Sequence, residues 1–203
     1  MGREPQQERS RATRESLLDA TIESLAEVGW HGTTVVAVAA RAGVSRGAAQ
    51  HHFSSRDDLV RDAVERVSEG LGERLRTRPV DEQDDDNPVL DVLTRLTSVW
   101  TDVVGRAALN LWVAAASDPT LRALVVPIER QFSRDMEALT IELLHADPSR
   151  QEVQSSVRLT LDVARGIGLG AAVRQDLQQR KADLAQWAAI LGTMPGIGGG
   201  LGL

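Results

Sequence analysis

The chain has 203 residues, a net charge of −6 and 42% hydrophobic residues, enough for a packed core and too many for a disordered chain. The absence of cysteine excludes disulfides, thiolate nucleophiles and cysteine metal sites. No apolar run approaches the roughly 18–20 residues of a membrane span, and the opening MGREPQQERSRATRES is too polar for a secretory leader, so a cytoplasmic chain with no membrane partner is expected.

The pattern predicts an all-α chain of about nine helices: strand-like alternation and hairpin turn signals are absent. The first helix is predicted from about Ser10 to Val28. Leu18, Ile22 and Leu25 make one apolar stripe along it, and Gly29 stops it. An arm carrying Arg3, Arg9, Arg11 and Arg14 precedes it. That arm reads either as a solvated terminus or as a contact to phosphates or the minor groove. A second helix is predicted from Thr34 to about Ala42, with Val35, Val38 and Ala39 as its apolar face, and Gly43 ends it. A third follows from Ser45 to about Phe53, and a fourth from near Ser55 to about Arg76, with Val67 and Leu71 on its stripe.

The acidic stretch RPVDEQDDDNP, residues 78–88, reads as a loop, and Asp84-Asp85-Asp86 lacks the spacing of a calcium loop. Further helices are predicted at Val89–Val104 and Ala107–Ala116, broken near Gly105. Another is expected at Thr120–His145, bent or restarted at Pro127, and the last two at about Ser149–Asp176 and Lys181–Leu191. The domains expected are 1–55, a helix-turn-helix unit with a flexible arm; 56–194, a larger helical regulatory and dimerisation domain; and 195–203, a glycine-rich disordered tail.

The stretch Thr34–Phe53, TVVAVAARAGVSRGAAQHHF, carries the chemistry. Two short helices flank a tight Gly-Val-Ser turn, small residues permit a close crossing, and Val44 plugs the turn. This is helix-turn-helix architecture, whose second helix enters the major groove. The Thr34 and Ser45 hydroxyls suit helix caps and phosphates. Arg46 can read guanine or pair with phosphate, Gly47 and Ala48 permit close approach, and Gln50 can bond adenine. His51, His52 and Arg56 are candidate phosphate contacts. Adjacent histidines point to different sides of a helix, so His51-His52 is no metal pair, and neither metal nor cofactor is expected.

The net charge suits this reading once it is divided. Residues 1–56 hold seven arginines against six acids, a net of +1; residues 57–203 hold 16 Lys+Arg against 23 acids, a net of −7. A duplex attracts local positive charge and does not require a basic whole protein.

The run GWHGTTVVAVAARAGVSRGAAQHHFSSRDDL, residues 29–59, resembles the signature of the TetR family of regulators at Gly29, Trp30, Thr33, Thr34, Val38-Ala39, Ala42–Ser45, Gly47, His52-Phe53 and Leu59. The chain departs from the family's habit at Ala49, usually a large aliphatic residue, and at Gln50, usually tyrosine; lysine is common where Arg56 stands. The resemblance implies a homodimer joined through the last two helices as a four-helix bundle. It also implies a small-molecule effector bound among the central helices, and a repressor released from a duplex DNA operator when that effector binds.

On that reading Trp100, Val103, Leu109, Trp112, Phe132, Met136, Asp162 and Arg165 are pocket candidates. For the tryptophans plain core is the open alternative, and for Asp162 and Arg165 a mutual ion pair. Gly166, Leu169, Gly170, Val173, Leu184, Trp187, Ala188 and Leu191 are dimer-interface candidates, the glycines suggesting close helix approach. No Ser/His/Asp arrangement or phosphate loop supports an enzyme. The alternative is a helical small-molecule-binding or adaptor protein whose DNA-binding unit is degenerate.

Overall fold

The computed structural model describes residues 4–77, 87–173 and 177–198. Among them are α1 (Glu4–Gly32), α2 (Val35–Arg41), α3 (Arg46–His52), α4 (Arg56–Thr77), α5 (Pro88–Thr101), α6 (Val103–Ser117), α7 (Pro119–Leu143), α8 (Gln151–Val173) and α9 (Leu177–Gly192), with no strand. The fold class expected from the helical periodicity is the one found. None of the described helices is long and apolar enough to cross a membrane. The acidic triplet 84–86 lies outside the described residues, as do the side chains of Val67 and Leu71.

Three local expectations are corrected. The first helix begins earlier than Ser10: residues 4–9, expected as part of the arm, are the first turns of α1, in a stretch whose Glu, Gln and Arg are good helix formers. The break expected near Gly105 falls at Asp102, which is extended (φ −86°, ψ −177°), and Gly105 is buried inside α6. Residues 195–198, read as the start of a disordered tail, fold back on the chain. The Asp147 N–H donates to Gly196 O at 2.8 Å, the Gly198 N–H donates to Leu144 O at 3.0 Å, and Ile197 is buried. Burying one isoleucine and closing two backbone hydrogen bonds offsets the glycine entropy that composition alone would weigh.

The described chain divides into two compact units. One contains the residues up to Glu69 together with Val103–Glu129, the other Gly70–Asp102 and the residues from Arg130 on. In the first, α1 serves two cores. Leu17, Leu18 and Ala20 pack with Val38, Ala39, Ala49, Phe53, Leu59 and Ala63 of α2 to α4. One turn later Leu25 and Trp30 pack with Val60, Ala107, Leu111, Ala115, Leu121 and Val125 of α4, α6 and α7. Ile22 touches both clusters. α6 and the start of α7 thus fold with the N-terminal helices, an association that no local feature of the sequence announces.

In the second unit α5 is central, with Val89, Val92, Leu93, Leu96, Val99 and Trp100 all buried. α8 and α9 both pack on it. The buried face of α8 is Val153, Val157, Thr160, Ala164 and Gly168, a stripe at helical spacing. The Trp187 indole N–H on α9 donates to Thr160 Oγ1 at 3.1 Å, and that hydroxyl donates in turn to Ser156 O at 2.7 Å. Arg95, ion-paired to Asp91 at 2.7 Å, donates to Leu75 O, so a cation sits near the carbonyl end of α4.

Gly168 is where α8 crosses α5. A Cβ built there would overlap Trp100 Cβ and lie a tight 3.0 Å from Trp100 O. Both obstacles sit on or next to the backbone, so the helices must part to admit a methyl. Gly168→Ala is therefore expected to destabilise the protein by about 1–3 kcal/mol despite alanine's better helix propensity. Thermal denaturation checks this, at roughly 2–4 °C per kcal/mol for a chain of this size; an unchanged melting temperature would show that the crossing is looser than the geometry states.

Candidate nucleic-acid interface

The helix-turn-helix is built from local signals that agree. Thr34 is extended (φ −115°, ψ 155°) and its hydroxyl accepts from Ala37 N–H, capping α2. α2 ends in a turn in which Gly43 takes φ +67°, left-handed backbone that residues with a Cβ rarely adopt. The Gly43 and Val44 N–H groups donate back to the carbonyls of Ala40 and Ala39, closing the C-terminus of α2. Val44 packs partly buried against the core. Ser45 then caps α3, its hydroxyl accepting from Ala48 N–H at 3.1 Å.

This geometry decides which residues of α3 face solvent. Ala49 is buried among Leu17, Leu18, Val38 and Phe53, and Ala48 and His52 are half-buried. Arg46, Gly47, Gln50 and His51 are exposed, and their i, i+1, i+4, i+5 spacing puts them on one helical face. That face offers a long guanidinium, a residue without a side chain, an amide able to donate and accept, and an imidazole. Thr34 and Ser45 are exposed at the ends of the two helices. Each hydroxyl accepts its cap bond with oxygen lone pairs and keeps its O–H to donate.

Other basic residues nearby are engaged within the protein. Arg41 pairs with Glu27 and, at 3.4 Å, with Glu23 on α1; the hydrogen bond from Arg41 holds the Glu27 carboxyl below its usual value. Arg14 pairs with Asp62 at 2.6 Å and lies 5.6 Å from the centre of the Phe53 ring. Arg66 pairs with Asp19 at 3.1 Å. These exposed ion pairs lace α1 to α2 and α4 and set orientation more than stability. Arg56, a candidate phosphate contact by sequence, has its guanidinium carbon 3.4 Å from the centre of the Trp30 ring.

Sequence reasoning missed Asn110. Gly29 (φ 68°, ψ −170°) kinks α1 near its end. Asn110 of α6 supplies donors there: its Nδ2 donates to Leu25 O at 3.0 Å and to Ala26 O at 3.3 Å. The glycine signalled the break, but a partner 84 or 85 residues away left no local trace.

The pocket candidates fall into two groups. Trp100, Phe132, Met136, Asp162 and Arg165 belong to the second unit. Trp100 and Met136 are buried, and Trp100 meets Phe132 edge to face at 5.8 Å. Arg165 lies 5.3 Å from the Trp100 ring centre and pairs with the exposed Asp162 at 3.5 Å. Val103, Leu109 and Trp112 belong to the first unit, where Trp112 packs against the Leu25–Trp30 core.

The interface candidates also divide. Leu184, Ala188 and Leu191 are buried within the chain as the inner stripe of α9, the helix that packs on α5. Trp187 is half-buried on its bond to Thr160. Gly166, Leu169 and Val173 are exposed and Gly170 half-buried on α8. Leu159 and Val163 are exposed as well, and Leu159, Val163, Gly166, Gly170 and Val173 form a stripe opposite the buried face.

Comparison with known proteins agrees with this architecture. Residues 17–63 match the family described as bacterial regulatory proteins, tetR family. The HTH-type transcriptional regulator CymR of Pseudomonas putida is 29% identical over 181 residues, covering 87% of this chain and 88% of that protein. The crystal structure of a transcriptional regulator from Rhodococcus sp. Rha1 shares the fold with a TM-score of 0.64 at 24% identity, over 87% of this chain and 94% of that one. The multidrug binding protein EbrR, solved in complex with proflavin, does so with a TM-score of 0.54 at 22% identity, over 86% and 99%.

Asn110→Ala removes both bonds to the broken end of α1 and should cost about 1 kcal/mol of stability. Asn110→Asp, isosteric but without the donor, should cost at least as much, since it sets a carboxylate against carbonyl oxygens. Denaturant titration checks both; an aspartate variant as stable as the parent would remove Asn110 from this role.

Proposed function

We propose that the chain, whose residues 17–63 match the family described as bacterial regulatory proteins, tetR family, is a homodimeric repressor whose paired α3 helices read a duplex operator and release it when a small molecule binds. The observation that carries the reading is the exposed face Arg46, Gly47, Gln50 and His51, on a short helix that Ala49 and Phe53 fix to a buried core. In this reading Arg46 reads a guanine edge or a phosphate and Gln50 an adenine edge. The hydroxyls of Ser45 and Thr34, with His51 and His52, hold the flanking phosphates.

Dimerisation has its own support. α8 is apolar on two opposite faces, and among the described residues only one is covered. A second copy meeting Leu159, Val163 and Val173 across Gly166 and Gly170 would bury the other, the glycines admitting close approach. Two recognition helices about one DNA turn apart, roughly 34–36 Å, then match a pseudo-palindrome. For the effector, the Trp100–Phe132 pair with Arg165 beside the tryptophan offers apolar surface and a cation. That EbrR was solved with proflavin supports small-molecule binding on this fold. An effector preferring the DNA-incompetent arrangement shifts the population by its differential affinity.

Selection from a random duplex library, followed by affinity and salt titration on the winner, tests the reading. A pseudo-palindrome bound tightly and with steep salt dependence is the expected result; no enrichment over non-specific binding would favour a helical small-molecule-binding protein instead. On the selected duplex, Arg46→Ala should cost about 1–3 kcal/mol and relax preference at one position of each half-site. Val163→Arg should give a monomer in sedimentation at micromolar concentration, with the fold retained by circular dichroism; a dimer of unchanged affinity would move the seam elsewhere.

A further inference from the structure

Arg56 opens α4 directly after the recognition helix, where an exposed cation would meet a phosphate. Its surroundings give it another task. The guanidinium lies over Trp30, 3.4 Å from the ring centre, and its Nη1 donates to Trp30 O at 3.4 Å and Thr33 O at 3.5 Å. Trp30 is itself buried in the core formed with Leu25, Val60, Ala107 and Leu111. The arginine is half-buried. Burial pulls the guanidinium below the usual arginine value, against the opposing fields of Asp57 and Asp118.

Electrostatics explains the direction of the side chain. A cation in the first turn of a helix is disfavoured by the positively polarised N-terminus. Asp57 and Asp58 in the same turn offset this in part. The guanidinium also turns away from its own helix and lies on carbonyls at the end of α1, where the polarity is reversed. One planar group thus covers an aromatic face and bridges two carbonyls, a task for which the compact ammonium of lysine is poorly shaped.

Resting on the DNA-binding reading above, we infer that Arg56 is a positioning residue for operator recognition: it clamps the α3–α4 turn to the end of α1 and makes no phosphate contact. Three residues separate Arg56 from the last residue of α3, and one of them, Phe53, is buried in the core under that helix. Moving Arg56 therefore moves the helix that presents Arg46 and Gln50.

The test uses the full chain and the duplex selected by the parent protein, with Arg56→Lys and Arg56→Gln compared for specific and non-specific affinity across a salt series. Both variants should lose roughly tenfold or more in specific affinity, keep the parent's non-specific affinity and salt slope, and melt at lower temperature without DNA. Lysine should rescue none of these. A salt slope reduced by about one in Arg56→Gln and restored in Arg56→Lys would mean a phosphate contact and overturn the inference. A lower melting temperature with the parent's specific affinity, measured where the variant is folded, would mean a purely structural residue and also overturn it. If the parent enriches no duplex, the DNA-binding reading fails first and the recognition role with it; equal melting losses in the two variants would then still identify the clamp.

Discussion

A single break in α1 organises the first unit. Gly29 leaves the helical region at φ 68° and kinks α1 three residues before its end, where the Thr33 N–H donates back to Gly29 O and Trp30 O. Two side chains from elsewhere in the chain serve that end. Asn110 of α6 donates to Leu25 O and Ala26 O before the break, and Arg56 of α4 donates to Trp30 O and Thr33 O after it. The carbonyls at the kinked end of one helix thus accept from side chains of two others. Trp30 lies between these contacts, part of an apolar core with α4, α6 and α7 and under the Arg56 guanidinium.

That arrangement separates two uses of charge. Arg14, Arg41 and Arg66 are matched to carboxylates on neighbouring helices. Arg56 is matched to carbonyls and an aromatic face. Arg46 instead stands on the exposed face of α3 with Gln50 and His51. Electrostatic attraction to a duplex falls within roughly 10 Å at ordinary salt, so local placement matters more than the overall charge of −6.

The second unit shows a related division on one helix. Its inner stripe on α8 ends in Gly168, which lets the Trp100 backbone approach until a methyl would not fit; its outer stripe includes Gly166, around which a Cβ would meet nothing within 4 Å. Two glycines two residues apart thus have different physical meanings, one consumed by a crossing inside the chain and one on an open apolar face. The near-neighbours Gly166, Gly168 and Gly170 read from sequence as one motif for close helix approach; the helical repeat sends Gly168 to the side opposite the other two.

Whatever depends on neighbours along the chain was legible from residue order alone. The helical repeat, the caps at Thr34 and Ser45, the left-handed turn at Gly43 and the stop at Gly29 are all local, because each is a bond or a steric limit within a few residues. The exposed face of α3 followed from them, since once Ala49 points inward the partners of Arg46 on that face are fixed by 100° per residue. Whatever required a partner far away emerged only in the folded chain. Whether Arg56 meets solvent or Trp30, whether Leu184, Ala188 and Leu191 are seam or core, and whether residues 195–198 hang free or pack on the α7–α8 turn are questions of who arrives from a distance. An amphipathic period states that a face will be buried without naming what buries it, and a broken helix states that its carbonyls need donors without saying that Asn110 will bring them.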